Sequence, residues 1–154
     1  MNSSGAKNLF PVFEVPSVTA DDKPTGQRYY PSPLWDYEAG DFAVNGARQV
    51  IYGSGYEAWV QWCIKTIMTE RWAHRGYSSN AGIEAMGAFG LSNRKAQESA
   101  LRRTITEALL ADPMGRARQV RNFRFNRQND SLHISCEVYG LNGNSATISA
   151  VLSG

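Results

Sequence analysis

Apolar residues recur at two periods along this chain, and the change between them separates a helical middle from a β-rich final third. At about 100° per residue, as in a helix, Tyr56, Trp59, Val60, Cys63, Ile64 and Ile67 fall on one side, with Gln61, Lys65 and Met68 opposite. This spacing predicts an amphipathic helix from Tyr56 to Trp72 or Arg75. It is entered through Gly53-Ser54-Gly55, whose serine can accept from the first free amides. Glu70 and Arg71 extend the apolar stripe on either flank of Ile67, so they are expected to neutralise each other or a partner. Trp62 and Trp72 point away from that stripe and leave aromatic surface to be explained. A short helical segment is expected within Gly82–Phe89. A second long helix follows over Asn93–Ala111, with Ser92 as its cap and Pro113 as its stop. Leu101, Ile105, Ala108 and Leu109 share its apolar side, and Glu98–Arg102 has the favourable acid-first order at four-residue spacing.

After Pro113 the period falls to two. Val120, Phe123 and Phe125 mark one strand, and Arg127-Gln128-Asn129-Asp130 a polar turn. Leu132, Ile134, Cys136 and Val138 then alternate strictly with Ser131, His133, Ser135 and Glu137, which predicts a strand with one buried and one wet face. Asn142-Gly143 is a strong hairpin signal, because both residues tolerate positive φ. Ala146, Ile148, Ala150 and Leu152 form the last strand of a three-stranded antiparallel meander.

The first third is different again. Five of the six prolines lie in residues 1–34, interleaved with Leu9, Phe10, Phe13, Tyr29 and Tyr30. Proline removes an amide donor and biases its predecessor towards extended backbone, so an extended arm lying on its own domain or on a neighbouring subunit is expected there. Residues 35–154 form the domain proper. It opens with a short hairpin, Trp35–Gly46, bent at Gly40, and a further short strand at Gln49–Tyr52. The fold class is therefore α+β: two main helices packed on an antiparallel sheet, with an extended N-terminal arm.

At 154 residues one domain can bury about two-thirds of its unfolded surface. The net charge of +2 identifies no partner, but its distribution is lopsided: residues 1–60 carry a balance of −3 and residues 91–127 one of +6. Cys63 and Cys136, each among apolar neighbours, read as buried thiols in a reducing compartment. No apolar run has signal-peptide or membrane-spanning length, so a soluble protein folding in the cytoplasm is expected.

Few residues offer chemistry. No Gly-rich phosphate loop is present, and His74, His133 and the two cysteines fit no metal-ligand spacing, so neither cofactor nor metal is expected. Glu70 is the one acid that could serve as a buried general acid, but no second carboxylate is placed to complete a glycosidase pair. A structural ion pair with Arg71 is the favoured reading. Arg116 to Arg127 mixes arginine with phenylalanine as nucleic-acid surfaces do, yet the rings fit the inward side of a strand. An acidic protein partner suits these arginines at least as well.

Several of these residues stand in a familiar order. Thr69-Glu70-Arg71 closes a Trp-bearing helix and is followed by Tyr77-Ser78 and Gly82-Ile83-Glu84. A second helix carries Arg103, Ile105, Glu107 and Leu109; Asp112-Pro113 and a strand with Asn122-Phe123 come next. Over about residues 34–152 this resembles the small baseplate wedge proteins, or sheath initiators, of contractile phage tails, in particular the form found in defective prophages of Gram-positive bacteria. A related T-even phage subunit was once labelled lysozyme-like.

The resemblance implies a non-enzymatic role in a phage or phage-tail-like particle assembled in the bacterial cytoplasm. Six copies would ring the tail tube or hub, bind the baseplate wedge proteins and template the first ring of sheath protein; no membrane partner is expected, and a nucleic-acid partner is the disfavoured alternative. It also implies that Asp112 and Pro113 begin an acid–Pro–Arg motif, in which Met114 departs from the family and Arg116 or Arg118 is the substitute guanidinium. Glu70, Arg71 and Tyr77 complete the structural motif.

Sheath subunits join by strand addition, which needs an open sheet edge. Ser145–Leu152 is nearly uncharged and proline-free, an edge that monomeric proteins normally protect. Ile148, Ala150 and Leu152 are thus candidate partner contacts, with Trp62 and Trp72; cover by the protein's own N-terminal arm is the competing expectation. The alternatives to a structural role are a peptidoglycan-cleaving lysozyme-type hydrolase using Glu70 and a nucleic-acid-binding module.

Overall fold

The computed structural model describes residues 30–153, and the expected arm up to residue 29 lies outside the described residues. From Tyr30 the chain makes two small antiparallel ribbons. β1 (Ser32–Pro33) pairs with β4 (Tyr52–Gly53), and β2 (Trp35–Asp36) pairs with β3 (Asp41–Phe42) across a turn with Gly40 at positive φ. The predicted hairpin is therefore present. The strand expected at Gln49–Tyr52 is reduced to a bridge between Val44 and Val50 and to β4.

α1 (Gly55–Met68) starts at a reciprocal cap: the Glu57 amide donates to the Ser54 hydroxyl, and the Ser54 amide donates to the Glu57 carboxylate at 2.6 Å. Such a box is worth about 1 kcal/mol, and these hydrogen bonds to Ser54 hold the Glu57 carboxyl below its ordinary pKa. The helix stops earlier than its pattern predicts. At Thr69 the backbone turns extended, and the Thr69 carbonyl accepts from the Ile83 amide (2.9 Å) while the Ile83 carbonyl accepts from the Arg71 amide (2.8 Å). Glu70 and Ile83 thus form a parallel bridge, and Arg71 and Trp72 are non-helical, Trp72 with φ of 65°. A long-range backbone pairing ends the helix.

That pairing depends on Gly82. It sits at φ +84°, and a Cβ there would collide with the Thr69 carbonyl oxygen, so both the backbone angle and the space require glycine.

α2 (Ala85–Phe89) and α3 (Arg94–Leu110) follow. The cap of α3 is Asn93, whose side chain accepts from the Lys95 amide, rather than the expected Ser92. Leu101, Ile105, Ala108 and Leu109 are buried as predicted, joined by Thr104, whose hydroxyl accepts from the Glu84 amide at 2.9 Å. Glu98 and Arg102 form no ion pair; the Arg102 guanidinium instead lies over the Phe123 and Phe125 rings, 5.6 and 5.9 Å from their centroids.

β5 (Gln119–Gln128), β6 (Ser131–Tyr139) and β7 (Ser145–Ser153) make the predicted meander in the order β5-β6-β7. Asn142 and Gly143 both take positive φ in the last turn. One sheet face packs Leu132, Ile134, Cys136, Val138 and Ile148 against Trp59, Cys63 and Ile67 of α1, with Leu101, Ile105 and Leu109 of α3 completing the core. Each fully buried aliphatic side chain contributes about 1.5–3 kcal/mol, more than any cap. The Cys63 and Cys136 thiols are free, and burial pushes them up to about 12 and about 11, so both stay protonated at neutral pH. Helices on one face of an antiparallel sheet are the predicted α+β class.

Gly82→Ala is expected to lower the unfolding free energy by about 2–3 kcal/mol, read from denaturant unfolding, because it strains φ and separates Thr69 from Ile83. A wild-type midpoint would show that the pairing does not hold the end of α1.

Candidate assembly interface

The charged end of α1 is an internal clasp. Glu70 and Arg71 do not neutralise each other. The Glu70 carboxylate accepts from the Ala85 amide at 3.0 Å and the Met86 amide at 3.4 Å, at the start of α2. Arg71 donates from Nε to the Gly82 carbonyl (3.1 Å) and from Nη1 to Glu84 Oε1 (3.0 Å). Its guanidinium also lies 5.9 Å from the centroid of Trp72, an exposed ring. Sequence spacing singled out Glu70 and Arg71 but not Glu84, because the partner is brought in by the Thr69–Ile83 bridge. Tyr77 is half-exposed beside this clasp, edge-on to His74 at 5.2 Å, with the Lys65 ammonium 5.6 Å from its ring centroid.

A second ion pair lies at the end of α3. The Asp112 carboxylate accepts from Arg116 Nε (2.7 Å) and Nη2 (3.0 Å), and also from the amides of Met114 and Arg116. Both side chains are buried, Asp112 completely. Of the two candidate guanidiniums it is thus Arg116 that neutralises Asp112; Arg118 is exposed, and its amide donates to the Tyr139 carbonyl at 2.7 Å. Pro113 and Met114 lie on the surface of this turn. The Arg116 guanidinium also stands 5.3 Å from the Trp62 ring centroid, so Trp62 is half-buried under a cation rather than free aromatic surface.

The two edges of the meander differ. β5 is interrupted by a bulge between Arg121 and Arg124, where Asn122 takes φ of 54°, and it carries Arg121, Arg124 and Arg127. Bulges and charges are the usual protections of an edge. β7 has neither: nine consecutive residues, without charge or proline, pair in unbroken register with β6. Among the described residues no segment pairs with its other side. Tyr56 fixes the strand at one end, its hydroxyl donating to the Ser145 carbonyl at 2.6 Å. Ile148 and Ala150 are buried in the core and Leu152 half-buried, while Val151 is 52% exposed.

Two cavities adjoin this strand. One, of about 650 Å³, is lined by Tyr37, by Ile64 and Met68 of α1, and by sheet residues including Arg124, His133, Ala150 and Val151. The other, of about 270 Å³, lies between Met68, Glu70, Met86, Phe89, Val151 and Leu152. A further aromatic hollow of about 380 Å³ holds Trp35, Tyr37, Phe42 and Tyr77 around Gln61 and Lys65. Gln61, which the helical pattern left merely polar, anchors this corner by accepting from the Trp35 amide and donating to the Pro33 carbonyl.

Among the described residues no cluster of three His, Cys, Asp or Glu is placed to hold a metal ion, and no helix is long and apolar enough to cross a membrane.

Asp112→Asn and Arg116→Met are each expected to cost about 3 kcal/mol in denaturant unfolding, because each leaves a buried group uncompensated. Met114→Arg at the exposed neighbouring position should stay within about 0.5 kcal/mol. Equal small effects at all three positions would contradict the placement of the pair.

No curated protein sequence matches the chain. Residues 32–143, from β1 to the turn before β7, match the contractile injection system sheath initiators, and the chain belongs to that family.

Proposed function

We propose that this protein sits in the baseplate of a phage or phage-tail-like particle, binds wedge proteins around the tube, and seeds the first sheath ring through the free edge of β7. The observation that carries this reading is the asymmetry of the meander: β5 is bulged and arginine-bearing, while β7 offers a continuous, uncharged row of backbone groups. An extended segment from a sheath subunit would satisfy those groups as a fourth strand. Six copies in a ring, wedge partners and contact with the tube or hub belong to the same reading; family membership supports them, as do the exposed groups Trp72, Tyr77 and the turn at Pro113-Met114.

The role is structural rather than catalytic. Glu70, the one acid considered for hydrolysis, spends its carboxylate on two backbone amides of α2. The arginines of β5 flank a bulged edge and serve an acidic protein surface better than a nucleic acid.

Ser149→Lys with Val151→Lys tests the reading, since both side chains are exposed and lysines are a natural protection against strand addition. The double variant should fold within about 0.5 kcal/mol of wild type and enter baseplates, but electron micrographs should show those baseplates without sheath. Full-length sheaths on baseplates carrying the variant would overturn it.

A further inference from the structure

Resting on the reading of β7 as an acceptor edge, we propose that the strand it receives has bulky apolar residues on the side turned to α1 and acidic residues on the other. The sheet's apolar face is notched at two places along its β7 edge, with Ile148 and Leu152 filling the positions between and beside them. β6 presents Ile134 and Val138, whereas the β7 residues paired with them are Ala150 and Ala146. Beside Ala150 the larger cavity opens, walled by Ile64 and Met68. The smaller one continues past Met68 to Met86 and Leu152. Met68 and Met86 are 54% and 66% exposed, and their unbranched thioethers can close around an incoming side chain. Side chains of a fourth strand on the core-facing side would project into this space, beside those of β7.

The opposite wall is polar and positive. Arg124 and His133 line the larger cavity with hydroxyl and amide groups, and no carboxylate lines it. Arg124 forms no salt bridge among the described residues, and its charge only helps the hydrogen bonds from Asn122 and Tyr139 to hold the Glu137 carboxyl below its ordinary pKa. Glu137, on the same sheet face, already accepts from Asn122 (2.8 Å) and Tyr139 (2.9 Å). Acidic residues on the outward side of the added strand would complement this wall. A second copy's β7 is the poorer fit, since its core side alternates alanine with Ile148 and Leu152 and it brings no charge to Arg124.

The test uses the full chain and fluorescently labelled peptides of about ten residues, a typical strand length, followed by anisotropy. One peptide alternates Leu with Glu, one Leu with Lys, one Ser with Glu, and one is the Leu/Glu peptide with alternate amides N-methylated. The Leu/Glu peptide should bind about tenfold tighter than the Leu/Lys and Ser/Glu peptides, and Arg124→Glu should reverse the preference between Glu and Lys. Equal binding of the Leu/Glu and Leu/Lys peptides, or no binding of any, overturns the proposed chemistry. Undiminished binding of the N-methylated peptide overturns strand addition itself, because it lacks the donors that pairing requires.

Discussion

Burial of one face of the meander under α1 and α3 is the constraint on which the remaining geometry depends. Leu132, Ile134, Cys136 and Val138 occupy that face, with Ser131, His133, Ser135 and Glu137 on the other. A slip of one residue would exchange the two sets and place a carboxylate and an imidazole in the core, so the register has one solution. With β6 fixed, β7 is fixed beside it by nine paired positions, by Ile148 in the core and by Tyr56 at its start. A strand so constrained cannot turn its free backbone groups inward. The rigidity that stabilises the domain is what keeps the outer edge of β7 unpaired among the described residues, as the proposed strand addition requires.

The ion pairs serve the same geometry at its two chain reversals. Arg71 joins the end of α1 to the segment before α2, and Arg116 joins the end of α3 to the start of β5. A buried pair is weak evidence for stability, because desolvation offsets most of its attraction. Its value here is placement. The Asp112 carboxylate, given four hydrogen bonds, admits few other arrangements of the turn, and Arg116 at the same time covers Trp62 of α1. The helices are thereby held over the sheet at both ends of the core.

What the sequence made legible was local or strictly periodic. The alternation in β6, the Asn142-Gly143 turn, the buried side of α3 and the Ser54 entry to α1 were all readable, since each is decided within a few residues. The end of α1 was not, because it depends on Gly82 approaching Thr69 from outside the helix. For the same reason the expected Glu70–Arg71 and Glu98–Arg102 pairs gave way to Glu84, to α2 amides and to the Phe123 and Phe125 rings. The choice between Arg116 and Arg118 needed the turn geometry. The cavities beside β7 left only a partial trace, in Ala146 and Ala150 opposite Val138 and Ile134, and it acquires meaning only when the strands are aligned.

Amide hydrogen exchange across residues 145–153, compared between the free full-length protein and assembled particles, tests the central claim most directly. The open edge predicts alternation in the free protein: amides paired with β6 exchange slowly, and those on the other side exchange fast, then slow by about a hundredfold or more once sheath is attached. Uniform protection of both sets in the free chain would mean that the edge is already occupied, and would contradict the account.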